Sequence, residues 1–336
     1  MKKAFALFVV LLTIFSLSAN GIKENAESKE KLVVYAYDTF CSDWGPGAEV
    51  IPAFIEETGI DVEIVSAGDA VEMLNKIILE GDKCRADVVL GITDDIADKL
   101  YSYLDSYNSP LLEKIDDELE FDSQNRLLPF DYGTFAFVFD SNSSVRRPTS
   151  LSDLTSEEYQ DKVILIDPRT SSVGMGLLMW TYNEFGDDYL SWWEKMEERA
   201  LTIASGWSSA YGLFTEGEAP IVLSYTTSPV YHVMNENTTR YEALIFEDGH
   251  QVTIEGIGIL SSSEKKEEAK VFVDYILSSA QCDIAVLNSM YPTNNETVLP
   301  DAFDYAPKPA KLYKSGSLDS DASKSILDSW SKVMAE

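Results

Sequence analysis

Leu32-Val33-Val34-Tyr35, Asp61-Val62-Glu63-Ile64-Val65 and Ala86-Asp87-Val88-Val89-Leu90-Gly91 are three short apolar runs separated by two segments of helical period. The first of these segments, Ala48 to Glu57, carries apolar side chains at Val50, Ile51, Phe54 and Ile55. The second carries Val71, Leu74, Ile77 and Ile78, and Gly81 closes it with a residue suited to a helix end. Strand, helix, strand, helix, strand within one block predicts a parallel sheet with right-handed crossovers, and so an α/β fold.

Working outward, a chain of 336 residues exceeds what one hydrophobic core usually organises, which predicts two lobes. After the first block, Pro129-Phe130-Asp131-Tyr132-Gly133 leads into an aromatic-rich strand, Thr134 to Phe139, and the first crossing between lobes is placed near Pro129. Ile245 to Leu260, with the turn Glu247-Asp248-Gly249, reads as the return crossing. The predicted division is a leader and polar tether over residues 1–30, a discontinuous first lobe over 31–128 with 255–336, and a second lobe over 129–254. Within the second lobe, strands are read at Lys162 to Ile166, Thr202 to Ala204 and Ile221 to Leu223, and helices at Gly174 to Phe185 and Tyr189 to Ala200. Trp192 and Trp193 fall at helical spacing and read as core. Helices are also expected over Glu264 to Ser278 and Asp319 to Ala335.

Charge and termini narrow the function classes. With 26 basic and 57 acidic residues the formal charge is −31, which repels nucleic acid and anionic membrane surfaces and attracts cations. The same charge also serves plain solubility. Met1-Lys2-Lys3, the apolar run Ala4 to Leu17 and small residues around Ser18-Ala19-Asn20 have the layout of a cleaved export signal, and the run is too short to span a membrane as a mature helix. Three cysteines, Cys41, Cys84 and Cys282, allow one disulfide plus a free thiol without specifying the pair. With two histidines and no paired Cys or His spacing, no metal site or cofactor is expected.

Three fragments combine aromatic and small polar residues. They are Tyr35 to Gly47, Gly206-Trp207-Ser208-Ser209-Ala210-Tyr211-Gly212, and Leu223-Ser224-Tyr225-Thr226-Thr227-Ser228-Pro229-Val230-Tyr231-His232. In the last, an apolar strand delivers hydroxyls and rings to its C-terminal end, where α/β clefts hold ligands, and Pro229 is read as stopping the ladder and starting a turn. Together the fragments predict a wall around one small flat ligand.

The runs Tyr-Ala-Tyr-Asp-Thr-Phe-Cys-Ser-Asp-Trp-Gly-Pro-Gly (Tyr35 to Gly47), Ala86 to Gly91, Pro129 to Gly133, Asp-Pro-Arg-Thr-Ser (Asp167 to Ser171), Gly206 to Phe214 and Leu223 to Pro229 resemble the periplasmic thiamine-binding proteins of ABC transporters, in family order from Leu32 to about Pro300. The resemblance implies a type II periplasmic binding protein: two α/β lobes joined by a two-strand hinge that close on thiamine or its mono- or diphosphate. It further implies a periplasmic monomer that hands its ligand to a cognate permease in the inner membrane and carries out no catalysis. Family binding segments correspond here to Tyr37 and Trp44, to Asp69, to Ser171, Ser172 and Gly174, and to Trp207, Tyr225 and Ser228. One departure stands out: relatives place tryptophan before Met-Tyr-Pro, whereas this chain has Ser289 before Met290-Tyr291-Pro292.

Thiamine carries a fixed positive charge on a flat ring, and each aromatic face beside such a cation contributes about 0.5–2 kcal/mol. That suits Tyr37, Trp44, Trp207 and Tyr225; ordinary core packing is the alternative for each, and Trp207 and Tyr225, set among Gly and Ser instead of an apolar period, favour the site. Asp69 with Glu72 three residues on reads either as an N-cap with a capping box or as an acceptor for the ligand's exocyclic amine. Ser171, Ser172 and the N–H groups before Gly174 read either as an anion cradle at a helix start or as a plain cap. Two alternatives remain open: a thiaminase-like enzyme using Cys41, since thiamine-cleaving enzymes share the implied fold, and a receptor for another solute such as iron, through Tyr225 and Tyr231, or a polyamine.

Overall fold

The computed structural model describes residues 31–314 and 320–335. The export signal read at the amino terminus lies outside them, and among the described residues no helix is long and apolar enough to cross a membrane.

The first block forms strands β1 (Leu32–Ala36), β2 (Val62–Ser66) and β3 (Val88–Thr93), linked through helices α1 (Gly47–Thr58) and α2 (Ala70–Glu80). β1 pairs in parallel with both β2 and β3, as the βαβαβ reading requires. Strand alternation then sorts the side chains. Leu32, Val34 and Ala36 face α1 residues Val50, Ile51 and Phe54, whereas Tyr35 faces Met73, Leu74 and Ile77 of α2. The α2 stripe is narrower than its spacing suggested, because Ile78 turns outward and is 38% exposed.

Two long strands carry the chain between halves. β4 (Leu128–Asp140) pairs through Leu128 to Thr134 with one partner and through Phe135 to Phe139 with another, so a single strand serves two sheets. The second half adds β5 (Val163–Ile166), β6 (Thr202–Ala204), β7 (Ile221–Tyr225) and β8 (Tyr241–Ala243), and the chain returns along β9 (His250–Leu260). The strand order is β2-β1-β3-β9-β4-β7-β5-β6, with β8 pairing on β4. Parallel pairs lie within each half; the antiparallel pairs come from β4 and β9.

The second core gathers around helices α3 (Ser172–Phe185) and α4 (Tyr189–Arg199), where Trp180, Trp192 and Trp193 are buried as their spacing predicted. Helix α5 (Trp207–Glu216) and helix α6 (Ser228–Glu236) follow β6 and β7. Pro229 therefore starts a helix rather than a turn: at the first helical positions its missing N–H is no loss and its fixed φ suits the helix. Helices α7 (Lys266–Ile276) and α8 (Gln281–Asn288) cover the first half. The terminal helix α9 (Ser320–Val333) packs elsewhere. Its Ile326 and Trp330 enter the second core, with the Trp330 ring edge-on to Trp193 at 5.4 Å, and the preceding Leu312–Tyr313 pairs with His250 and Gln251 of β9.

Because Trp330 is 1% exposed, Trp330→Ala should lower the unfolding free energy by about 3–5 kcal/mol, read by urea denaturation. A variant as stable as the wild type would show that α9 does not pack on this core.

Candidate functional site

The site is built where β4 and β9 run side by side. Asp131 on β4 stands directly opposite Glu255 on β9, and the register slips by one residue immediately beyond the pair. A second slip, between β9 and β3, leaves Gly91 as the extra residue on its strand. Bulges of this kind bend a strand and re-aim its side chains. Gly91 adopts φ +100°, and a Cβ there would sit 2.1 Å from the Tyr37 ring, so only glycine lets that phenol lie against the bulge.

Tyr37 is buried at the end of β1. Its hydroxyl accepts from Asn288 Nδ2 at 2.8 Å and also reaches the Glu255 carboxyl, while Asn288 Nδ2 donates at 2.9 Å to Asp131 Oδ2. Asp131 Oδ1 and Glu255 Oε2 are buried and have no donor among the described residues. Burial pushes the Asp131 carboxyl up to about 7 and Glu255 well above its ordinary range; Asp131 is a further upward influence on Glu255. Two opposed carboxyls in contact hold together only if one keeps a proton.

Tyr225 ends β7 and lies on the Phe135 ring, centroids 5.1 Å apart and 26° between planes. Its phenol is held well above the usual range by burial, then by the charges of Glu255, Asp69 and Asp131. Met290 approaches the same place: a Cβ on Gly133 would meet Met290 at 2.7 Å and Tyr225 at 2.9 Å. Ser289 ends α8 in the left-handed region, φ 51°, while Tyr291 stacks on Tyr132 at 5.4 Å.

Asp69 performs two tasks. It forms the reciprocal capping box with Glu72 at the start of α2, and it reaches into the second half, where Ser172 N donates to its carboxylate at 3.0 Å and Ser171 Oγ at 3.3 Å. The free N–H at the start of α3 is thus taken by a protein carboxylate. Burial raises Asp69 to about 6 against the opposing pull of the Ser172 and Val71 amides. Gly174 permits the close approach behind this contact, since a Cβ would lie 2.6 Å from the backbone of Ile166 and Asp167.

On the second half, Trp207 Nε1 donates to Ser224 Oγ at 2.7 Å, Ser224 shares a 2.7 Å hydrogen bond with Ser228, and Ser228 Oγ accepts from Tyr225 N at 3.2 Å. The Trp207 ring stacks on Tyr211 at 4.9 Å. One chain of contacts therefore links Trp207, Ser228 and Tyr225. Trp44 stands apart, 56% exposed on the turn before α1. A shallow pocket beside α3, lined by Phe135, Ser172, Gly176 and Met179, includes none of the rings expected to hold the ligand.

The alternatives gain little from this geometry. Cys41 Sγ faces the Ala36 carbonyl at 3.9 Å, and burial, then the Asp38 charge, push its thiol up to about 11, the reverse of an activated nucleophile. All three cysteines are free. Tyr231 is 48% exposed on the outer side of α6, and no group of His, Cys, Asp and Glu among the described residues could hold a metal ion. Reading residues alone missed Asp131, Glu255 and Asn288. Asp131 lay inside a quoted motif, but only the register reveals its partner.

A family model described as bacterial extracellular solute-binding protein matches residues 91–312. The chain is 38% identical over 310 residues to the thiamine-binding periplasmic protein of Brucella melitensis, covering 90% of this chain and 91% of that one. It is 39% identical over 293 residues to the protein of the same name from Escherichia coli K12, covering 84% and 86%. A solved periplasmic thiamin binding protein superposes with TM-score 0.84 at 34% identity, covering 91% of this chain and 96% of that one.

Asp69, Asp131 and Glu255 bind protons more tightly folded than unfolded, so their contribution to stability falls as pH rises through the folded values. Buried His250, held below its usual range, gives the opposite slope, so a difference measurement isolates the carboxyls. Asp131→Asn should gain stability relative to wild type from about pH 5 to about pH 8, followed by thermal denaturation. A difference that is flat with pH would mean Asp131 is not held protonated.

Proposed function

Since the chain belongs to the family of bacterial extracellular solute-binding proteins, we propose that it is the thiamine-binding component of an ABC importer. In this reading it is exported to the periplasm, captures thiamine as a monomer, and presents the closed form to a permease in the inner membrane. The observation that carries the reading is that Tyr37 and Tyr225, from different halves, face the same buried carboxyls, while Asp69 from the first half bonds Ser171 and Ser172 of the second.

The proposed lobes are residues 31–128 with 255 onward, and 129–254, hinged on β4 and β9; the terminal helix rides on the second lobe through Trp330. Contacts that exist only when the halves meet favour the closed state, and a ligand touching both halves adds its differential affinity to that preference. Tyr37 and Tyr225 supply ring faces, Trp207 and Ser228 fix the Tyr225 wall, and Trp44 forms the rim. Asp69, Ser171, Ser172 and Gly174 form the end of the site toward the ligand's alcohol. There the Asp69 carboxylate already satisfies the Ser172 amide, so a phosphate ester gains that amide only by displacing Asp69. In this reading the protein binds without turnover, and the raised Cys41 thiol, held up by burial, supports it.

Calorimetry with thiamine, its mono- and diphosphate and spermidine tests the proposal. Thiamine should bind, its diphosphate no more tightly, and spermidine not at all; no heat with any thiamine form would end the reading. Tyr225→Ala should weaken thiamine binding by about tenfold or more, corresponding to about 1–2 kcal/mol of lost ring contact. Unchanged affinity would remove Tyr225 from the site.

A further inference from the structure

We propose that the opposed carboxyls of Asp131 and Glu255 are the counter-charge for the ligand's cationic ring, and that they share one proton when empty and release it to solvent when the cation binds. The inference rests on the thiamine reading above and identifies the groups that would make the site select a positive ring.

The geometry carries it. Antiparallel register sets the two side chains on the same face of neighbouring strands, directly across from one another. Like charges in that arrangement oppose folding. Asp131 is fully buried, and its Oδ1 and Glu255 Oε2 lack a donor, while Asn288 donates to Asp131 Oδ2 and the Tyr37 hydroxyl lies beside the Glu255 carboxyl. No lysine or arginine forms an ion pair with either among the described residues, even though acidic groups elsewhere, such as Asp122 and Asp140, have arginines beside them. The ionisable groups facing the pair are Tyr37 from the end of β1, Tyr225 from the end of β7 and Asp69 from the start of α2, none of them cationic. The pair therefore holds unpaired negative charge, or a proton in its place, near the phenols of Tyr37 and Tyr225. With one shared proton the pair already carries one negative charge; a flat cation entering beside those rings is attracted to it and lowers the cost of ionising the second carboxyl, so the shared proton passes to the buffer. Both carboxyls sit above their ordinary range, as a shared proton requires.

The test is titration calorimetry of the full chain with thiamine in buffers of different ionisation enthalpy, at several values between about pH 5 and about pH 8. The slope of observed enthalpy against buffer enthalpy counts released protons, and should approach about one per thiamine where the empty pair is protonated. The uncharged aminopyrimidine half of thiamine should release none. Asp131→Asn and Glu255→Gln each preserve the shape of the pair and should weaken thiamine by about tenfold or more, and the double variant, with no carboxyl left to ionise, should abolish the release. Thiamine binding by wild type with no buffer dependence across the range, or unchanged affinity in both variants, would overturn the inference and leave the transport reading standing. Failure of thiamine to bind wild type would remove both.

Discussion

The antiparallel pairing of β4 with β9 is the constraint on which the rest depends. Each strand must satisfy its backbone hydrogen bonds along its whole length, and each does so by belonging to both halves of the molecule. The halves are consequently joined by ladder bonds instead of a loose linker. Whatever lies between the halves at this point is set by side chains on β4 and β9.

Those side chains include two carboxyls where a stability argument would place apolar groups. Burying them costs free energy that the neighbouring amide and phenol only partly offset. The bulge beside them and the bulge at Gly91 show the local backbone shaped around this spot. The second half contributes a more ordinary solution: Trp207, Ser224, Ser228 and the Tyr225 amide satisfy one another and hold the Tyr225 ring against Phe135. One side is thus tied by hydrogen bonds and the other carries carboxyls, and Asp69 bridges the halves through Ser172.

Much of the fold was legible because periodicity is a local property. The parallel block from Leu32 to Gly91, the buried Trp192 and Trp193, and the aromatic crossing strand after Pro129 all follow from spacing of apolar residues. The misreadings were also local in origin. Pro229 after a strand reads locally as a turn former, although proline suits a first helical turn equally well, and the next residues decide which. For Asp69 the capping box was readable from Glu72 three residues on, whereas the bond to Ser172 joins positions far apart in the chain. Trp44 and Trp207 looked alike among glycines, yet one stands in solvent and the other donates to Ser224.

By itself, the sequence determined the α/β class, the positions of most strands and helices, the acidic character of the whole chain and the family it resembles, because each depends on residue type and on neighbours a few positions away. Only the tertiary structure decided that Asp131 faces Glu255, that Asn288 binds both Asp131 and Tyr37, and that the terminal helix sits on the second core. These depend on strand register and on surfaces remote in the chain. A shift of register by one residue would turn Asp131 to the opposite face of its strand, and no local pattern records which register forms.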